Sequence, residues 1–275
     1  MTLSGSLSTH STGAAPAKRI AIFAATPWEM RAVQSAFSPG SERRICGRQV
    51  FVRTIGDREY WLAQTGVGPD KAGQCAAQLL DNQSFNLVVS TGFACALIAA
   101  DIGALLVGRE VVRRGNPGGE PSEILDMPGE ERDLAMTFVE TLVPFERIGR
   151  FISTDHVIGS AQEKRKLAQS IQAIGLDMES ATLAAHAQRA QVPFVIIRSV
   201  SDLQDEDLPL DFNLFLRPTG WIKGMGTVLA APSCLLGLGR LRRQSLIAAE
   251  ALRVFFRTYA AAMATERPKK ELSPT

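Results

Sequence analysis

Two acidic residues about twenty positions apart are the best candidates for chemistry in this chain: Glu179, in Leu176-Asp177-Met178-Glu179-Ser180-Ala181, and Asp202, which closes Pro193-Phe194-Val195-Ile196-Ile197-Arg198-Ser199-Val200-Ser201-Asp202. Between them, Ala181 to Gln191 carries Ala and Leu at helical spacing, with no breaker before Pro193. The run Val195 to Val200 reads as a buried parallel strand. Glu179 therefore opens a helix directly after one strand, and Asp202 leaves the carboxyl end of the next. In open α/β sheets that edge is where ligands bind. Two carboxylates delivered to one crevice suit a reaction that needs hydroxyl binding and proton donation. A third acid, Glu29, follows Thr26-Pro27-Trp28, with Thr26 as candidate N-cap and Pro27 at the first helical position. On spacing alone it reads as a first-turn acid that the helix dipole favours.

The elements that must position these acids alternate along the chain. Arg19 to Ala25 has a short buried-strand pattern, and strands follow around Gln49 to Thr54 and Glu59 to Gln64. Thr65-Gly66-Val67-Gly68-Pro69 is a Gly-rich turn into a helix from about Asp70 to Leu80. Phe85 to Ser90 is an apolar strand ending in Thr91-Gly92-Phe93-Ala94. Gly115 to Gly119 reads as a loop, Arg132 to Leu142 as a helix, Ile148 to Ser153 as a strand and Gln162 to Gln172 as a helix. Alternating β and α elements with short connections predict one doubly wound α/β sheet. The C-terminal third departs from this pattern. Gly220 to Gly239 is Gly- and Leu-rich, and Arg240 to Tyr259 has the pattern of a long amphipathic helix. Glycines, Pro232 and Lys223 interrupt the apolar stretch, which is too short to span a bilayer.

At 275 residues, 45% hydrophobic and 21% charged, the chain is ordinary for a soluble globular protein. A net charge of +2 argues for neither nucleic acid nor a strongly acidic partner. Cys46, Cys75, Cys95 and Cys234 show no metal spacing, and with three histidines there is no case for a metal or a disulfide framework. A reducing, cytoplasmic setting fits this cysteine usage. Residues 1–17 read as a disordered leader without a signal-peptide core, residues 18–264 as one domain, and 265–275 as a disordered tail.

Asp177-Met178-Glu179-Ser180-Ala181 followed by Arg198-Ser199-Val200-Ser201-Asp202 resembles the signature of the nucleoside phosphorylase and methylthioadenosine/S-adenosylhomocysteine nucleosidase superfamily. The resemblance covers about Lys18 to Leu208. It implies a single-domain α/β fold with a twisted mixed central sheet flanked by helices, here with a helical C-terminal extension. It also implies cleavage of the N-glycosidic bond of a purine nucleoside, without a metal or cofactor. Carried over, Glu179 holds ribose hydroxyls and Asp202 protonates the base at N7. Glu29, aligned with the acid of the first motif, activates the attacking water. Met178, Arg198, Ser201, Phe93, Ala94, His156, Val157 and Ile158 fall at substrate-binding positions. Arg198 either anchors Glu29 or a ligand anion, or pairs with a core carboxylate. Ser201 orients Asp202, and Asp177 is a structural hydrogen-bonding acid.

Three departures bear on the substrate. The family motif Thr-Gly-x-Ala-Gly, often with Ser as its variable residue, is here Thr91-Gly92-Phe93-Ala94-Cys95, and the position that carries an Arg in true phosphorylases is Ser90. A phosphate dianion loses donors there, which favours water as the nucleophile. Val157 stands where small nucleosidases stack a Phe on the base, so that either His156 or Phe93 substitutes or the base is not adenine. The C-terminal extension, with Asp205-Glu206-Asp207-Leu208-Pro209, is similar to hopanoid-associated phosphorylases, which implies a lipid-linked adenosine. Residues 220–243 could then touch the lipid or a membrane surface, although packing on the sheet or against a second subunit of a homodimer is the more ordinary use of such a segment. The leading expectation is hydrolysis of a purine nucleoside, adenine by preference, with a modified 5′ position. Phosphorolysis, with phosphate as co-substrate, and a catalytically silent nucleoside-binding protein are the rivals.

Overall fold

The computed structural model describes residues 17–114, 122–125, 127–209, 212–213 and 233–265. The expectations for the leader, the tail, the 115–119 loop and residues 220–232 fall outside these, save for positions 17 and 265. Strand β5 (Leu87–Ala96) is the hub of the molecule. Its first half pairs in parallel with β1 (Lys18–Ala24), which pairs in parallel with β4 (Arg58–Gln64). Antiparallel β3 (Arg48–Ile55) and β2 (Ser41–Ile45) complete this open wing. At the edge, β2 carries Glu42, Arg43 and Arg44 in solvent, charges that discourage pairing with another chain.

The other side of β5 closes on itself. β10 (Phe194–Leu203) runs parallel to β5 and antiparallel to β6 (Leu105–Arg114). β6 is parallel to β8 (Ile148–Thr154), and β8 to the short β9 (Gly175–Asp177). β9 returns antiparallel to Cys95 and Ala96 of β5. The five strands β5, β10, β6, β8 and β9 thus form a closed ring, with β7 (Ser122–Leu125) outside on β6. Phe151 fills the inside, fully buried, and lies so close to Gly175 that a Cβ there would meet its ring at 2.6 Å.

The sheet is therefore mixed, as the family resemblance implies, and partly closed, which corrects the doubly wound sheet that the alternation of elements predicts. The physical reason is that β9 has only three residues and that β6 passes from an apolar run straight into charges. β6 carries no turn signal that sets it apart and is absent from the sequence reading, as are β2 and β7, whereas β9 is the strand read before Glu179. Helices cover both faces. Along β1 the side chains alternate: Ala21 and Phe23 pack with α2 (Pro69–Leu80) and α5 (Ser180–Arg189). Ile20, Ile22 and Ala24 pack with α1 (Pro27–Ala36), α3 (Glu130–Glu140) and α6 (Ser233–Thr265). α4 (Ala161–Ile171) covers Ile152 and Leu176 through Leu167. The last helix is longer than the predicted Arg240 to Tyr259 and reaches Thr265, the first position assigned to the tail. No helix among the described residues is long and apolar enough to cross a membrane.

Candidate active site

A cavity of about 490 Å³ opens where β1, β5 and β10 end, between their carboxyl ends and the segments after β4, β8 and β9. Glu29, Glu179 and Asp202 all line it.

Glu29 is 3% exposed and held from two directions. Thr26 caps α1, and its backbone N–H (2.6 Å) and hydroxyl (2.7 Å) both donate to Glu29 Oε2, which with the return bond to the Glu29 N–H forms a capping box. The Phe93 N–H donates to Oε1 at 2.7 Å. The first-turn reading and the site reading of Glu29 thus describe one geometry. Gly92 makes it possible: its φ is +139°, and a Cβ there would stand 2.4 Å from Glu29 Oε1 and 2.6 Å from Arg198 Nη1.

Glu179 stands at the N-cap position of α5, but its carboxylate makes no capping bond and instead accepts from the Gly68 N–H at 2.8 Å, the Gly-rich turn bringing that amide to it. Burial pushes its carboxyl up to about 7, and Asp177 and Glu29 add to the rise, while Arg198 and the Gly68 amide oppose it. Arg198 is 1% exposed and does not line the cavity. It lies beneath the site, paired with Asp177 at 2.9 Å and donating to Ser90 Oγ, Ser180 Oγ and the Thr91 carbonyl. Glu179 is 3.9 Å from it. Of the alternatives open for Arg198, the core carboxylate is the one observed. Asp177 also accepts from Ser153 Oγ and from the Ser180 N–H and hydroxyl, so both its oxygens are used inside the protein.

Asp202 leaves β10 through a bulge. The register with β5 shifts between Val200 and Asp202, so that Ser201 is the extra residue and Asp202 faces Cys95. The Ser201 hydroxyl lies 3.0 Å from Asp202 Oδ1 and 3.5 Å from the Ala94 carbonyl. Lys164 Nζ donates to Asp202 Oδ2 at 2.7 Å.

The remaining predicted positions gather at the same cavity: Phe93 and Ala94 from β5, Met178 from the turn into α5, and His156, Val157 and Ile158 after β8. Asn213 clamps this last segment, accepting from the Val157 N–H at 2.7 Å and donating to its carbonyl at 2.9 Å. Sequence reasoning missed Lys164, Asn213 and the lining residues Lys71, Leu208, Phe212 and Leu241. One signal could have found Lys164: with Ala161 and Leu167 it forms the buried face of α4, a place where a lysine is costly unless paired. No group of three or more metal-ligating side chains is present among the described residues.

Known proteins align with this arrangement. The family model of the phosphorylase superfamily matches residues 19–217. A 5′-methylthioadenosine/S-adenosylhomocysteine nucleosidase of Staphylococcus epidermidis is 26% identical over 209 residues, covering 72% of this chain and 92% of that protein. The corresponding Helicobacter pylori nucleosidase, solved in complex with a substituted pyrrolidinol, superposes with a TM-score of 0.68 at 17% identity, over 90% of this chain and all of that one. A futalosine hydrolase of the same organism gives 0.63 at 18% identity, over 86% and 99%. A match that runs from the first strand through the post-β10 loop takes in every predicted site residue, and this chain belongs to the phosphorylase superfamily.

Proposed function

We infer that this protein cleaves the N-glycosidic bond of a purine nucleoside by hydrolysis. The observation that carries the reading is the meeting of Glu29, Glu179 and Asp202 in one cavity, brought there by the ends of three different strands and each held by its own donors. In the proposed reaction Glu179 binds ribose hydroxyls. Asp202 gives its proton to N7 as the C1′–N9 electron pair passes to the base. Glu29 takes a proton from the water that attacks the oxocarbenium-like C1′. Three bonds orient the Glu29 carboxylate, so little reorganisation is left for the reaction step. Ile158 supports the base side, since its backbone N–H and C=O have no partner among the described residues and so are free to read a base edge.

Water is favoured over phosphate by the surroundings of Ser90. Its hydroxyl is fully buried and shared with Ser180 Oγ and Arg198 Nη2, each at 2.9 Å, so it is not offered to a ligand. At the neighbouring position Phe93 presents a ring, not a hydroxyl. The relatives named for methylthioadenosine and S-adenosylhomocysteine support a substrate modified at the 5′ position. The reading extends to a homodimer, checked by sedimentation. It also includes lipid contact through 220–243, for which the 84% exposed Leu236 is the observation, checked by vesicle flotation.

The deciding experiment follows base release by chromatography from adenosine, inosine, methylthioadenosine, S-adenosylhomocysteine and a lipid-linked adenosine, with and without phosphate. Release without phosphate is expected. Release only with phosphate identifies a phosphorylase, and saturable binding without release identifies a silent binding protein.

A further inference from the structure

The group behind Asp202 is as unusual as Asp202 itself. Lys164 is 0% exposed, and its ammonium has three donors for three acceptors: Asp202 Oδ2 at 2.7 Å, the Glu206 carbonyl at 3.1 Å and the Leu203 carbonyl at 3.3 Å. Both carbonyls belong to the end of β10 and the loop after it, so a single side chain from α4 fixes the acid and the backbone that carries it. Burial pulls against the charged amine, but Asp202, Cys95 and Glu206 outweigh it and hold Lys164 above its ordinary value. Cys95, raised well above its own ordinary value by burial first and Asp202 second, stays a neutral thiol beside the pair. Asp202 keeps 14% of its side chain open to the cavity, while Lys164 has no opening at all.

We propose that Lys164 is the positioning residue of the base-side acid: it fixes Asp202 and supplies the counter-charge for the carboxylate that forms when Asp202 gives up its proton. This rests on the reading of Asp202 as the acid. In the step, the Asp202 O–H bond breaks, the N7–H bond forms and the glycosidic electron pair leaves with the base. The new negative charge appears next to an ammonium that keeps all three of its protons. The other groups facing Asp202 are Ser201 beside it and Cys95 from β5, Glu206 acts on Lys164 from the loop, and His156 and Glu179 line the same cavity. Glu206 is itself held from α6 by Gln244 at 3.1 Å and Arg240 at 3.9 Å. Lys164 is therefore the one cation that directly contacts Asp202 among the described residues.

Removing the charge has two effects of opposite sign. Proton transfer slows, because the carboxylate forms without a partner. The alkaline limb of the rate profile also moves up, because the cation that favours the carboxylate is gone. K164M is expected to lower kcat on its pH plateau by about 100-fold and to move the alkaline limb of the kcat profile up by about one pH unit or more. K164R is expected to leave the limb in place. A merely structural lysine would lower activity without moving the limb, and that result overturns the proposal. D202N separates the two levels. Base release by D202N at the wild-type rate sinks the acid reading, whereas an inactive D202N beside a K164M with wild-type plateau and limb overturns Lys164 alone. If K164M does not fold, K164R alone carries the test: with the cation kept, its limb should stay at the wild-type pH, and a displaced limb overturns the proposal.

Discussion

Two buried cation–carboxylate pairs border the same cavity and do opposite work. Arg198 and Asp177 are 2.9 Å apart, each with a side chain 1% exposed. Lys164 and Asp202 are 2.7 Å apart, with the lysine closed off and the carboxylate 14% exposed. Asp177 uses both oxygens on Ser153, Ser180 and Arg198, and nothing remains for a ligand. Asp202 receives Ser201 and Lys164 and turns its open side to the cavity. Pairing a charge makes it tolerable inside a protein, but what the pair leaves unused decides whether it is scaffold or site.

Exchanging the two carboxylates for amides is the strongest way to break this contrast. D202N should lower turnover by about 1,000-fold, within the range for a lost general acid, with its melting temperature nearly kept. D177N should do the reverse. Leaving Arg198 buried without its partner costs about 3–5 kcal/mol of stability, read by denaturant unfolding. Equal damage from both substitutions to both readouts would erase the distinction.

Glu179 sharpens the contrast through pH. Its folded value lies at about 7 against an ordinary 4.5, so the folded state holds this proton more tightly than the unfolded chain does. The stability that goes with the proton is complete below about 4.5 and is lost as pH rises to about 7. Wild-type melting temperature should therefore fall relative to E179Q across that window, and parallel curves would refute the shift. The smallest expected effect is that of T26A. It removes one of the three donors to Glu29 and the cap of α1, and should cost about 1 kcal/mol, with a modest drop in kcat. A loss as large as that of D202N would mean that the hydroxyl itself takes part in the reaction.

The acids were legible because strand ends and helix starts leave marks in sequence: an apolar run, a short polar turn, then a helical period. Glu29, Glu179 and Asp202 each sit at such a boundary, and Asp177, one strand position earlier, reads as structural for the same reason. The ring was not legible. Nothing local tells β10 that it pairs with β5 on one side and β6 on the other, because strand order is decided by packing between segments far apart in the chain. Lys164 was hidden in another way. A lysine on a helix is ordinarily a solvated charge, and only the apolar company of Ala161 and Leu167 marks it as inward-facing. Arg198 shows the limit of motif transfer: its position in the motif is correct, yet the side chain reaches under the cavity and not into it.

The packing of α6 on α1 sets the order in which the site can be completed during synthesis. Glu29 belongs to the first helix of the chain, yet the face of that helix away from the cavity is covered by the last one. Phe37, just past the end of α1, lies 6.0 Å from Phe256, and Tyr60 lies 6.2 Å from Tyr259. A ribosome that has already released Glu29, Glu179 and Asp202 still holds a chain whose first helix has no cover. A nascent chain stalled before residue 256 thus carries all three acids, with the donors of Glu29 in place but the helix that bears it uncovered.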